Sequence, residues 1–228
     1  MQMAPWTVVI PVKRLEIGKS RLRGDRDDDA LVLAIALDTV AAAAAAHNVE
    51  RVLIVTGDAI VGNAVGSLGA DVVAEPHGGG LNAAIDAGAA TAGLAVPRAA
   101  LLADLPALRG TELAAALDAI MGTPGRAYVA DHTDTGTTLL GALPGVALDP
   151  RFGPGSAAAH AATGATPLRG DWPGLRLDVD TATDLALARR LRLGSRTRAA
   201  LATDPGGERD LGGSQRDLGE SNAIRAVC

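Results

Sequence analysis

Short β-branched runs alternate along the chain with longer segments whose apolar positions recur at helical spacing, and this rhythm predicts the elements. Val8, Val9 and Ile10, behind Trp6, read as a buried first strand, which Pro11 ends because it has no N–H for a ladder. Ala30–Ala46 is the most membrane-like stretch. Asp38 and Thr39 interrupt it and it ends in weakly apolar alanines, so a buried helix is expected. Arg51–Thr56 is a second strand stopped at Gly57-Asp58, followed by a short helix over Ala59–Leu68 that Gly69 closes. A third strand at Asp71–Ala74 runs into Glu75-Pro76-His77-Gly78-Gly79-Gly80, and the three glycines form a loop able to approach a ligand with bare backbone. Leu81–Ala92 is helical, Ala99–Leu102 a fourth strand, Thr111–Met121 a helix and Ala127–Ala130 a fifth strand.

Strands and helices alternating at this spacing predict an α/β fold with three layers, a mainly parallel sheet covered by helices on both faces. Beyond Asp131 the rhythm changes. A strand is expected at Thr137–Leu140, a loop at Phe152–Ser156, a short helix at Ala157–Thr163 and a last strand at Leu175–Val179. Thr181 and Asp184 make a capping-box-like start for a final helix, with Leu185, Leu187, Leu191 and Leu193 directed inward and Arg189, Arg190 and Arg192 at its C-terminal end. From about Thr203 the chain is Gly, Asp, Arg and Ser, with Arg-Asp-Leu-Gly at 209–212 and 216–219. Residues 1–202 are read as one domain and 203–228 as a disordered tail.

Composition narrows the classes. Of 228 residues 48% are apolar but only 2% aromatic, so the core must be built from Ala, Val and Leu. The single cysteine, Cys228, excludes a disulfide framework and a Cys-based metal site and fits a reducing cytoplasm. A formal net charge of −5 argues against nucleic acid as partner, and the start of the chain lacks the basic, then apolar, pattern of a secretion signal. No membrane association is expected. His47, His77, His132 and His160 lack zinc-like spacing, and surface or loop positions are expected for them. Ser20 and Ser156 have no histidine partner in the pattern, so hydrolase chemistry has no support.

Against that acidic background the positive charge after the first strand is local: Lys13, Arg14, Lys19, Arg21 and Arg23. Lys13 and Lys19 are the only lysines among 21 basic residues, and a lysine acts on phosphate as a point charge. At ~4 Å each such pair contributes roughly 1 kcal/mol in water and about 4 at an intermediate dielectric, so several could hold a triphosphate. Gly18-Lys19-Ser20 imitates the end of a Walker loop, but that motif needs glycine where Lys13 stands. Asp104 lies just past a buried strand, where open α/β sheets bind ligands. Asp178 and Asp180 flank the end of the expected last strand, and carboxylates beside a phosphate loop suit magnesium.

These residues reach a family. The chain resembles the phosphoenolpyruvate and 2-phospho-L-lactate guanylyltransferases of coenzyme F-420 biosynthesis, within the nucleotide-diphospho-sugar transferase-like (GT-A-type) fold. The resemblance covers about residues 6–193 and rests on an ordered set of motifs. They are Pro11-Val12-Lys13 with Lys19-Ser20-Arg21-Leu22, Gly80-Leu81-Asn82, Asp104-Leu105-Pro106, Gly136-Thr137-Thr138, Phe152-Gly153 with Ser156, and Asp178-Val179-Asp180-Thr181 with Asp184-Leu185. Gly18 stands where the family has alanine and Ala182 where it has proline; neither change removes a charge.

The resemblance implies that Lys13, Lys19 and Arg21 hold the GTP phosphates and that Pro11 and Val12 also bind the nucleotide, with Lys13, Lys19 and Asp104 carrying catalysis. It implies that Gly80, Leu81 and Asn82 meet base and ribose, and that Asp104 with Asp178 or Asp180 binds Mg2+. Thr138, Gly153 and Ser156 would hold the acceptor's phosphate and carboxylate. Phosphoenolpyruvate is favoured as acceptor, 2-phospho-L-lactate being the alternative, and a homo-oligomer is compatible with this reading. A molybdenum-cofactor-type nucleotidyltransferase shares the metal logic but starts with a Gly-rich loop where this chain has Pro-Val-Lys-Arg. A non-catalytic nucleotide-binding protein would be favoured by loss of the loop lysines or the carboxylates, and both are present.

Overall fold

The computed structural model describes residues 4–13 and 29–203. Among the described residues seven strands form one sheet: β1 (Trp6–Pro11), β2 (Val49–Thr56), β3 (Asp71–Ala74), β4 (Arg98–Leu101), β5 (Arg126–Ala130), β6 (Thr137–Ala142) and β7 (Thr166–Leu168). Their order is β3-β2-β1-β4-β6-β5-β7, and every pairing is parallel except those of β6, which runs antiparallel to β4 and β5. The expected mainly parallel sheet is therefore present.

Helices α1 (Asp29–Ala44), α2 (Ala59–Gly66) and α4 (Gly110–Met121) cover one face, and α3 (Gly80–Ala92) and α5 (Ser156–Ala162) the other. Alternation along the strands explains the division. Val8, Ile10, Val52 and Ile54 pack with Val40 of α1, Val65 of α2 and Leu117 of α4, whereas Val9, Leu53 and Val55 meet Ala84 of α3. Gly88 lets α3 lie close, because a Cβ there would stand 2.3 Å from Val9 Cγ1 and 2.9 Å from Val55 Cγ2. Among the described residues no helix is long and apolar enough to cross a membrane.

The end of the chain departs from expectation. Leu175–Val179 is not a strand. Pro173–Arg176 forms a single helical turn (α6), with proline at its first position as a helix start allows, and 177–181 is an extended connection outside the sheet. The seventh strand is instead Thr166–Leu168, hidden in the sequence by Pro167; β7 is a sheet edge, where proline is tolerated. Helix α7 (Ala182–Arg190) keeps its Thr181–Asp184 capping box, but Leu187 is exposed, Leu185 and Leu191 are partly buried, and the buried Leu193 lies past its end. A further helix, α8 (Ser195–Ala202), packs on α1. Asp38, buried in α1, accepts from Arg196 N at 3.2 Å and Thr197 N at 2.7 Å and so caps α8 from another helix. The expected tail at 203–228 lies, beyond Thr203, outside the described residues, as do Lys19 and Arg21.

Candidate active site

From β1 the chain spreads to β2 and β3 on one side and to β4 and beyond on the other, so the C-terminal ends of β1 and β4 flank the topological switch where such sheets bind ligands. Pro11 and Val12 are buried at the end of β1, Val12 N donating to Val55 O at 2.9 Å, and Lys13 emerges exposed directly after them. Asp104 follows β4. Its backbone is held from both sides by Thr39 of α1, whose Oγ1 accepts from Leu105 N at 3.1 Å and lies 3.1 Å from Ala103 O.

A backbone bond from Val179 N to Asp104 O, 2.9 Å, draws the 178–180 connection to the same place. Asp104 and Asp178 thus come together from distant parts of the chain. Burial pushes the Asp178 carboxyl up to about 7, and the neighbouring charges of Asp104, then Asp180 and Asp131, push in the same direction. His132 Nδ1 lies 3.8 Å from Asp178 Oδ1. Among the described residues no three of His, Cys, Asp and Glu make a ready-made metal cage, and a hard cation such as magnesium needs only one or two carboxylates completed by phosphate and water. The mutual repulsion of these carboxylates fits a cation between them.

Asp131 and Arg176 were not singled out in the sequence, yet they build the frame of this acidic pole. Asp131, buried at the end of β5, accepts from Thr133 N at 3.1 Å and Thr135 N at 2.9 Å, folding the turn that leads into β6. Gly136 is required beside it, since a Cβ would stand 2.6 Å from Asp131 Oδ2. Arg176 donates to Ala130 O at 3.1 Å, Asp131 O at 2.7 Å and Asp134 Oδ1 at 2.7 Å, and so fastens α6 to β5 just before Asp178. Asp131 had the same signal as Asp104, an aspartate directly after a buried strand; Arg176 had none.

On the other face Gly80 and Leu81 open α3, with Gly80 exposed, and Asn82 lies in the first turn. Both ends of the Asn82 amide are engaged with one residue: Oδ1 accepts from Phe152 N at 2.8 Å and Nδ2 donates to Phe152 O at 3.0 Å. Base and ribose were expected there. After Phe152 come exposed Gly153, Pro154 and Gly155, with Gly153 at φ 137° and Gly155 at φ 72°, conformations natural to glycine. Ser156 is buried and its N–H donates to Gly153 O at 3.1 Å. Thr138 is fully buried, with Oγ1 3.5 Å from Val129 O, and its own carbonyl accepts from Leu102 N at 3.0 Å beside the Asp104 turn.

His160 corrects the expectation of surface histidines. It is fully buried between Tyr128 and Phe152. Its Nε2 accepts from Arg151 N at 2.9 Å, which assigns the ring proton to Nδ1, 2.9 Å from Thr137 Oγ1. Burial, then the positive charge of Arg126, lowers its pKa to about 4. An open cleft of about 680 Å³ lies next to the Asn82 clasp, lined among others by Asp86, Arg126, Asp149 and Arg151. Its two arginines are taken up by Asp149, at 3.0 and 2.8 Å.

No protein-family model matches the chain. A phosphoenolpyruvate guanylyltransferase of Salinispora arenicola is 59% identical over 196 residues, covering 84% of this chain and 91% of the relative. Relatives of the same description from Geodermatophilus obscurus and Streptomyces coelicolor are 51% and 50% identical, each covering 86% of this chain and 94% and 96% of their own length. Among solved structures, a Desulfovibrio desulfuricans protein assigned to the nucleotide-diphospho-sugar transferases superposes with a TM-score of 0.65 at 21% identity, covering 88% of this chain and 95% of its own. A 4-diphosphocytidyl-2C-methyl-D-erythritol synthase gives 0.57 at 13%, covering 82% and 99%. These likenesses show the fold alone. The 59% identity decides the family: the chain belongs to the phosphoenolpyruvate guanylyltransferases.

Proposed function

We propose that the protein joins the GMP moiety of GTP to phosphoenolpyruvate, forming enolpyruvyl-diphospho-5'-guanosine and releasing diphosphate. The observation that carries this reading is the 59% identity, over most of both chains, to a relative named for that reaction. An exposed lysine directly after β1, next to the strand β4 whose end carries Asp104 with Asp178 drawn to it, supports it. An oxygen of the acceptor's phosphate attacks the α-phosphorus of GTP; the bond from that phosphorus to the bridging oxygen breaks, and diphosphate leaves with the electron pair. The attacking phosphate is already ionised near neutral pH, so no side chain has to remove a proton. Catalysis then consists of positioning and charge neutralisation.

Lys13, together with Lys19 and Arg21, is assigned to the triphosphate, and Gly80 and Leu81 to the base and ribose. Thr138, Gly153 and Ser156 are assigned to the acceptor; with Thr138 and Ser156 buried, the exposed main chain at 153–155 is the part best able to meet it. Asp104 with Asp178 or Asp180 would hold Mg2+, and the raised pKa of Asp178 supports a cation there. When bound, the ion supplies neutralisation of the α-phosphate and the leaving diphosphate. The same reading places the reaction in coenzyme F-420 biosynthesis and in the cytoplasm.

Diphosphate release with GTP, magnesium and a panel of phosphorylated three-carbon acids tests this. Release is expected with phosphoenolpyruvate and is expected to stop when EDTA removes the metal. A clear preference for 2-phospho-L-lactate would overturn the acceptor alone, and no release with any acid would overturn the transferase reading.

A further inference from the structure

Asn82 stands in the first turn of α3, behind three glycines that suggest a ligand-facing loop, yet its amide is spent on protein. Oδ1 and Nδ2 hold the N–H and the carbonyl of Phe152, 70 residues away in sequence, at 2.8 and 3.0 Å. The same loop is gripped from its other side: Arg151 N donates to His160 at 2.9 Å, and the Phe152 ring stands edge-on to the His160 imidazole, with centroids 5.0 Å apart. Between these grips and Ser156 only Gly153, Pro154 and Gly155 are exposed. The base of the loop is fixed and its tip is open. The position of α3 is itself set against β1 by the close approach at Gly88.

We infer that Asn82 is a positioning residue for the acceptor, acting through the Phe152–Ser156 loop, and is not a contact to the nucleotide. The inference rests on the reading of Gly153 and Ser156 as acceptor contacts given above. Two antiparallel hydrogen bonds from a planar amide fix both the distance and the tilt of the Phe152 peptide groups. Loss of either bond leaves a partly buried backbone group to find another partner and lets the loop tip shift. A shift of about 1 Å in a substrate-holding loop is enough to cost on the order of 100-fold in efficiency. The residue also links the helix that opens next to the nucleotide side to the loop on the acceptor side, so displacement of α3 is passed to the acceptor.

Steady-state kinetics on the full chain separate the two roles, with GTP and phosphoenolpyruvate each varied against a saturating partner. Asn82→Ala is expected to raise the KM for the three-carbon phosphoacid by roughly 10- to 100-fold while leaving the KM for GTP within about twofold. Asn82→Asp, nearly isosteric, keeps an oxygen for Phe152 N and loses the donor to Phe152 O; it serves if the alanine variant does not fold and should shift the same KM. A rise in the GTP KM, or no change in either KM, overturns the inference. Amide hydrogen exchange gives a readout independent of turnover: residues 151–156 should exchange faster in the variant while the middle of α3 does not. Unchanged exchange in 151–156 overturns the clasp even if the wild-type protein shows no guanylyl transfer, an outcome that would instead count against the proposed function.

Discussion

Thr39 lies fully buried in α1, where its hydroxyl takes the Leu105 N–H and approaches Ala103 O, both at 3.1 Å. Asp104 is held between those two backbone groups. Thr39→Val keeps the shape and removes the hydroxyl, leaving a buried N–H without its acceptor. A loss of about 1–3 kcal/mol is expected in denaturant unfolding, with turnover falling more than GTP affinity because the Asp104 turn is no longer fixed. His160 titrates in the opposite sense to a paired surface histidine. Its pKa is lowered from 6.5 to about 4 in the fold, so between those values the unfolded chain binds the proton more readily. The stability supported by the neutral ring is complete above about pH 6.5 and is lost progressively as the pH falls toward 4, by an amount on the order of 3 kcal/mol. His160→Gln should flatten the pH dependence of thermal melting in that window; an unchanged slope would show that other groups carry it.

Gly80, Leu81 and Asn82 open helix α3, and Gly88 decides how closely it lies on the sheet. The γ-methyls of Val9 and Val55 would stand 2.3 and 2.9 Å from a Cβ at position 88, and both side chains are fully buried with no room to turn aside. Gly88→Ala should cost about 1–3 kcal/mol by overpacking. It should also raise the KM for the acceptor, because α3 carries the Asn82 clasp with it. On the opposite face of the sheet from α3, Asp38 joins two helices. Asp38→Ala removes the acceptor for Arg196 N and Thr197 N, and roughly 1 kcal/mol together with faster amide exchange across α8 is the expected result.

At the scale of the whole molecule the sheet gathers one edge. Lys13 after β1, Asp104 after β4, Asp131 after β5 and Thr137 at the start of antiparallel β6 all lie there, and the 178–180 connection is tied in by the bond from Val179 to Asp104. The reversal of β6 matters, because an antiparallel strand starts at the edge that β5 has just reached. The folded unit extends through α8, whose docking on α1 uses buried Asp38 and Thr197. Truncation before Ser195 should therefore lower the melting temperature by several degrees. Truncation after Thr203 removes a segment with little apolar surface to offset its ordering entropy and should leave the melting temperature unchanged; a drop of several degrees would place part of 204–228 in the folded unit.

Local periodicity determined the alternating strands and helices, the glycine-rich entry to α3, the capping box at Thr181 and the aspartate after β4, because each depends on residues within a few positions of one another. The same locality explains the failures. Leu175–Val179 alternates like a strand, but a strand needs a neighbour, and the edge it would have taken belongs to Thr166–Leu168. The sequence by itself also showed which groups could do chemistry: lysines concentrated after the first strand, three aspartates at element ends, and no nucleophile with a partner. Tertiary structure alone decided how those groups are used. It set Asp178 against Asp104, buried His160 as a neutral brace, turned Asp38 and Thr39 from interruptions of an apolar run into ties between elements, and spent the Asn82 amide on Phe152. The chemical capacity of a side chain is a property of the residue, whereas its partner is a matter of long-range packing: the amide of Asn82 is written at position 82, and the backbone that claims it lies 70 residues away.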